Sequence, residues 1–262
     1  MEITLDTIRD IKIYQSRKGY RFSVDALLLY SFVNLKTAKR IADFGAGSGI
    51  IGILLAKKYP QSQVVLVELQ EGLAELAERN VRENCPEGRV NVVRRDIRDL
   101  AERGMTDRML KRFSYDLVVS NPPFRRPKTG LMSPEEEKAV ARHELRLKLS
   151  ELARASSLLL RTRGRFLVIY HPERLAELMD ALRERGMEAK RLRFVHASQS
   201  SEAKMVLVEA VKEARPGLMV ERPCFIYRED GGYSEELREL CSGSDYTGCS
   251  DEGSAGIIMT TE

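Results

Sequence analysis

Asn121, Pro122, Pro123 and Phe124 close an apolar run that begins at Tyr115. Proline gives no hydrogen bond to a strand ladder, so the pair marks where a sheet stops and leaves a carboxamide and an aromatic ring beside its end. Upstream, "DFGAGSGIIG" (43–52) ends one apolar run and opens a helical pattern. Glycines there let the backbone turn sharply, and the helix start offers amides. Gly47, Gly49 and Gly52 also satisfy the dinucleotide fingerprint, which keeps an NAD-dependent or flavin oxidoreductase in view. Asp43 argues the other way. A carboxylate just ahead of the glycines repels a pyrophosphate, and it suits a cationic amino-acid group, directly or through water. Glu68, at the end of "QVVLVE" (63–68), is placed to accept from both hydroxyls of a ribose, which fits either kind of cofactor.

The elements that must position these residues follow from periodicity. Strand-like runs at 40–44, 63–68, 89–93, 115–120, 165–170, 190–195 and 205–211 alternate with helical patterns, including 50–59, 72–85 and a long stretch at 134–160. Such alternation predicts an α/β, Rossmann-like fold: a seven-stranded, mostly parallel sheet with helices on both faces and ligands at the carboxyl ends of the strands. Pro134 in the first turn and Gly164 just past the end bracket the long helical stretch. The expected organisation is an N-terminal entrance segment (1–38), one domain (39–228) and an acidic tail (229–262), loosely held from Cys241 onward.

Composition narrows the class. With 262 residues, 43% of them hydrophobic, the chain can bury the core of one large domain. Residues 229–262 hold nine acids and one base, so 1–228 carry 42 bases against 30 acids, and a basic body suits a polyanion such as nucleic acid. An Arg-rich surface simply facing solvent would look the same. No apolar run of roughly 18 residues and no export leader is seen, so the expected setting is the cytoplasm without a membrane. Cys85, Cys224, Cys241 and Cys249 have no paired spacing, and His143, His171 and His196 lie far apart, so no metal site is expected.

With Asp43 to Gly49, Glu68, "RRD" ending at Asp96, and "NPPF", roughly residues 15–212 resemble the class I methyltransferases dependent on S-adenosylmethionine. That cofactor carries a cationic amino-acid group and no phosphate. The resemblance implies that Asp43, Gly45, Ala46, Gly47, Gly49, Glu68 and Asn121 bind the cofactor and that Asp96 and Ile97 border its adenine; Asp96 reads equally well as the cap of the following helix. "NPPF" is similar to the motif of enzymes that methylate planar amino groups: adenine N6, guanine N2 and a protein glutamine. Such nitrogens are poor nucleophiles because their lone pairs are delocalised, so the site must orient them. By the resemblance, the Asn121 oxygen and the Pro122 carbonyl accept both N–H groups, and Pro123 and Phe124 contact the flat face of the substrate, with stacking worth roughly 1–3 kcal/mol for a base. Arg125, Arg126 and Lys128 follow directly and could hold phosphates beside a flipped base, or face solvent.

Within that class, "QSRKGYRFSVDALLLYSFV" (15–33) and "ARHE" (141–144) resemble the bacterial valine-tRNA adenine-N6 methyltransferases, which modify the purine 3′ of the anticodon. The resemblance implies an RNA partner, the tRNA anticodon loop, and places Tyr20, Arg21, Phe22 and Ser23 at the entrance to the cofactor pocket with Asp25 nearby. Phe22, Val24, Leu27 and Leu28 read alternatively as the buried face of a helix, and His143 with Glu144 as a helix surface pair. Enzymes acting on rRNA guanine N2 or on protein glutamine remain as alternatives, together with a catalytically silent RNA-binding module.

Overall fold

A computed structural model describes residues 3–16, 24–85, 87–102, 108–122 and 148–242. The chain opens with a hairpin, β1 (Ile3–Ile8) and β2 (Ile11–Ser16), followed by α1 (Val24–Phe32). Then come β3 (Arg40–Phe44), α2 (Ile50–Lys58), β4 (Gln63–Glu68), α3 (Glu71–Asn84), β5 (Val90–Arg94) and α4 (Ile97–Glu102). The second half holds β6 (Tyr115–Ser120), α5 (Leu149–Leu159), β7 (Leu160–Tyr170), α6 (Leu175–Arg183), β8 (Met187–His196) and β9 (Ala203–Lys212). Two short strands, β10 (Met219–Val220) and β11 (Cys224–Phe225), precede α7 (Glu235–Cys241).

The main sheet runs in the order β5-β4-β3-β6-β7-β9-β8-β10, and β11 also pairs with β8. Strands β3 to β7 are mutually parallel, and β9 is antiparallel to both of its neighbours. All seven expected strands are present, with the two two-residue strands added at one edge. The order reverses between β3 and β6, so the loops leaving these two strands flank a switch point, where open α/β sheets bind ligands.

The central strands are mostly apolar because both faces are covered. Ile41, Val64, Leu66, Leu117 and Val119 pack into the core formed with α1, α2 and the hairpin. Their alternate neighbours Ala42, Phe44, Val65, Val67 and Val118 join the core with α5 and α6 on the other face. By this alternation Asp43 lies on the α2 side of β3, where it is fully buried.

Two sequence expectations change. Gly164 does not end a helix: α5 stops at Leu159, and Gly164 sits inside β7, where a Cβ would meet the carbonyl oxygens of Arg161 at 2.8 Å and Tyr115 at 2.9 Å. The pairing of β6 with β7 is irregular at this point, between Tyr115 and Leu117, so the glycine permits close backbone approach at a bulge. The long helical stretch is also interrupted. Lys148 is extended, and its N–H is accepted by the Glu151 carboxylate at 2.8 Å, which starts α5 at Leu149. Pro134 lies outside the described residues.

Residues beyond 228 pack further than their composition suggests. Tyr227 stacks on Tyr233 with ring centroids 5.4 Å apart, Ser234 caps α7, and Leu237, Leu240 and Cys241 are buried. Cys85, Cys224 and Cys241 are buried and form no disulfide among the described residues, and Cys249 lies outside them. Among the described residues no helix is long and apolar enough to cross a membrane, and no cluster of side chains could hold a metal ion.

Candidate active site

The glycine loop is fixed by the strand beside it. The Gly45 and Ala46 N–H groups both donate to the Val67 carbonyl, at 2.9 and 3.1 Å, so the chain leaving β3 follows the end of β4 before it turns. The Gly47 N–H then donates to Glu68 Oε2 at 2.9 Å, and the other carboxylate oxygen accepts from the Gln70 N–H at 2.9 Å. Gly49 has φ of 87°, a conformation that side chains rarely adopt, and caps α2. Gly52 answers a packing demand: a Cβ there would come within 2.0 Å of Leu66 Cδ2, so its hydrogen lets α2 lie close on β4.

Beneath this loop lies Asp43. Its Oδ2 accepts the Gly52 N–H at 3.0 Å, while Oδ1 is buried without a hydrogen-bond partner. Burial, the largest effect, pushes its pKa up to about 7; the Gly52 amide opposes the rise, and the nearby Glu68 charge adds to it. An orphaned carboxylate oxygen under strain from a second carboxylate calls for a cation. The loop's Gly47 amide is already given to Glu68, so a pyrophosphate would meet two carboxylates, Asp43 and Glu68, and little compensation. The literal dinucleotide fingerprint is thus a matter of helix packing at Gly52 and carries no phosphate site here. Each Glu68 oxygen holds one loop amide and keeps a lone pair, so the carboxylate could still accept from ribose hydroxyls.

Asn121 leaves β6 beside this loop. β6 pairs with β3 through the register Phe44 to Ser120, and the Ser120 hydroxyl donates to the Phe44 carbonyl at 2.9 Å, tying the two strand ends together. Asn121 is only 8% exposed, and no hydrogen bond to a described residue occupies its carboxamide at this strand end. Pro122 is buried next to it.

Asp96 caps α4. Its carboxylate accepts the Arg98 N–H at 2.9 Å and is also gripped by the Arg98 guanidinium, and Ile97 beside it is buried. Asp96 therefore stands just beyond β5, on the carboxyl edge that also carries Asp43, Glu68 and Asn121. Val24, Leu27 and Leu28 form the buried face of α1. Pro123, Phe124, Arg125, Arg126, Lys128, Tyr20, Arg21, Phe22, Ser23, His143 and Glu144 lie outside the described residues.

Two contributors carry no motif in the sequence: Ser120 reads only as the end of a strand, and Asn80 lies within an amphipathic helix. The signal for Asn80 was available: it is a polar residue on the same stripe as the buried Ala74, Ala77 and Val81.

The family described as Methyltransferase small domain matches residues 23–145. A tRNA1(Val) (adenine(37)-N6)-methyltransferase of Erwinia tasmaniensis is 30% identical over 181 residues, covering 69% of this chain and 70% of the relative. The chain belongs to the tRNA1(Val) (adenine(37)-N6)-methyltransferase family. A second relative of that name, from Tolumonas auensis, is 27% identical over 235 residues, 89% of this chain and 93% of its own. The methyltransferase is also similar in fold to a crystal structure of a predicted O-methyltransferase from Agrobacterium tumefaciens, with a TM-score of 0.62 and 23% identity over 82% of this chain and 94% of that one. The protein is thus a methyltransferase with S-adenosylmethionine as cofactor, and the orphaned Asp43 oxygen fits a cofactor that carries an ammonium group.

Proposed function

We propose that the enzyme methylates N6 of adenine 37 in the anticodon loop of a valine tRNA. The observation that carries this reading is Asn121: a carboxamide on a mostly buried residue, without a hydrogen-bond partner among the described residues, at the end of β6 beside the strand that leads into the glycine loop. Relatives named for this reaction align along most of the chain. A tRNA substrate sets the reaction in the cytoplasm.

In this reading, S-adenosylmethionine supplies a methyl group made electrophilic by a cationic sulfonium. Gly45, Ala46, Gly47 and Gly49 form the floor beneath the ammonium group, and Asp43, buried under that floor, would act on it through its charge or a bridging water. Glu68 uses its remaining lone pairs on the ribose, while Asp96 and Ile97 border the adenine. The Asn121 oxygen and the Pro122 carbonyl would accept the two N–H groups of the exocyclic amine and fix the direction of its lone pair, and the proton released on methylation would pass from this acceptor pair to water. Pro123 and Phe124 contact the face of the target base, Arg125, Arg126 and Lys128 hold neighbouring phosphates, and Tyr20 to Ser23 line the entrance. Neither a metal nor a strong general base has a part in it.

The test is methyl transfer from labelled S-adenosylmethionine to unmodified valine tRNA, total rRNA and a protein fraction, followed by digestion. N6-methyladenosine at position 37 is the expected product. Label in an rRNA guanine or a protein glutamine would keep the orienting role of Asn121 and overturn the substrate.

A further inference from the structure

The hairpin β1–β2 forms a sheet of its own, so one edge of β2 has no strand beside it among the described residues. Helix α3 takes the place of that strand. Asn80 Oδ1 accepts the Tyr14 N–H at 2.7 Å and its Nδ2 donates to the Tyr14 carbonyl at 3.0 Å; Asn84 does the same for Lys12, at 2.9 and 2.7 Å. The match is geometric. Residues four apart on a helix are separated by about 6 Å along its axis, and residues two apart on a strand by about 6.6 Å, so two carboxamides can copy two rungs of a ladder.

The two asparagines are equivalent toward the hairpin but not toward the site. Asn80 is wholly buried, and its Nδ2 also donates to the Ser48 carbonyl at 2.9 Å, within the glycine loop. Asn84 makes its further bond to the Asn80 carbonyl, inside α3. One amide therefore holds Tyr14, just before the segment that leads to residues 17–23, and the loop that turns over Asp43.

We infer that Asn80 is a positioning residue that couples the docked N-terminal hairpin to the cofactor loop, so that cofactor binding and hairpin docking reinforce one another. The coupling rests on the assignment of the glycine loop to the cofactor. With the Ser48 carbonyl anchored, the loop is pinned on both sides, by Glu68 from β4 and by Asn80 from α3, and a ligand that orders the loop must also steady the strand on the far side of that amide. Coupling of this kind is reciprocal.

Comparison of Asn80→Ala with Asn84→Ala tests the idea, because both loosen the hairpin and only the first frees the loop. Calorimetric titration with S-adenosylmethionine should show affinity lowered about tenfold in Asn80→Ala, equivalent to about 1.4 kcal/mol, and unchanged within about twofold in Asn84→Ala. Hydrogen exchange on the unaltered protein supplies a readout that survives poor folding of either variant: protection of the Tyr14 amide should rise when the cofactor is added. Wild-type affinity in Asn80→Ala, or Tyr14 protection indifferent to cofactor, would overturn the coupling. Wild-type protein that binds the cofactor while its Gly45–Gly49 amides stay unaffected would instead remove the loop assignment on which the coupling stands.

Discussion

Replacing Asp43 by asparagine should stabilise the cofactor-free protein while weakening its hold on S-adenosylmethionine. In the folded chain the carboxyl is buried, with one oxygen bonded to the Gly52 N–H and the other orphaned, and its pKa stands at about 7 against an ordinary 3.8. Between those values the native state keeps a proton that the unfolded chain has already lost, so this group's contribution falls as pH rises from about 4 to about 7, and its full penalty is present above. Three pH units at about 1.4 kcal/mol each set a ceiling of roughly 4 kcal/mol. Asparagine offers Gly52 the same acceptor, and like the protonated acid it places a donor where Oδ1 lies. The stability difference between variant and wild type should therefore be about 1 kcal/mol in the variant's favour at about pH 4.5 and approach roughly 4 kcal/mol at about pH 8, with other titrating groups cancelling in the difference. Urea unfolding of both proteins at about pH 4.5, 6 and 8, without cofactor, measures it. A difference that does not change with pH, or a variant less stable than wild type at about pH 8, would refute the reasoning.

The same carboxylate ties cofactor affinity to pH: an ammonium group needs Asp43 ionised, so affinity should weaken as pH falls below about 7, by up to about tenfold per pH unit, and lose that dependence in Asp43→Asn; calorimetry across about pH 5.5 to 8 reads both. Asn121→Ala should lower the rate of methyl transfer about a hundredfold or more, with S-adenosylmethionine affinity nearly intact, because it removes an acceptor from the substrate amine; single-turnover rates set beside cofactor titrations would expose a mere folding defect. Gly52→Ala should destabilise the fold by about 1–3 kcal/mol, since its Cβ would fall 2.0 Å from Leu66 Cδ2 in a filled core, and an unchanged melting temperature would show that Leu66 can move aside freely.

Local chemistry explains why so much of this protein could be read from its sequence. The glycine loop, the acid ending β4 and the two prolines after Asn121 act over a few residues, through turn sterics, strand alternation and the missing donor of proline, so residue type and spacing reveal them. The seven main strands were legible for the same reason, as β-branched runs covered on both faces. Gly164 misled because a glycine after a helical pattern usually ends it, and only the neighbouring strand shows that this one makes room for the Tyr115 carbonyl. What the tertiary structure alone decided are the contacts between residues far apart in the chain: Asp43 losing water on one oxygen beneath α2, Ser120 tying β6 to β3, and Asn80 joining Tyr14 to Ser48 across 66 and 32 residues. Desolvation and long-range hydrogen bonding depend on which surfaces meet, and no local pattern records that.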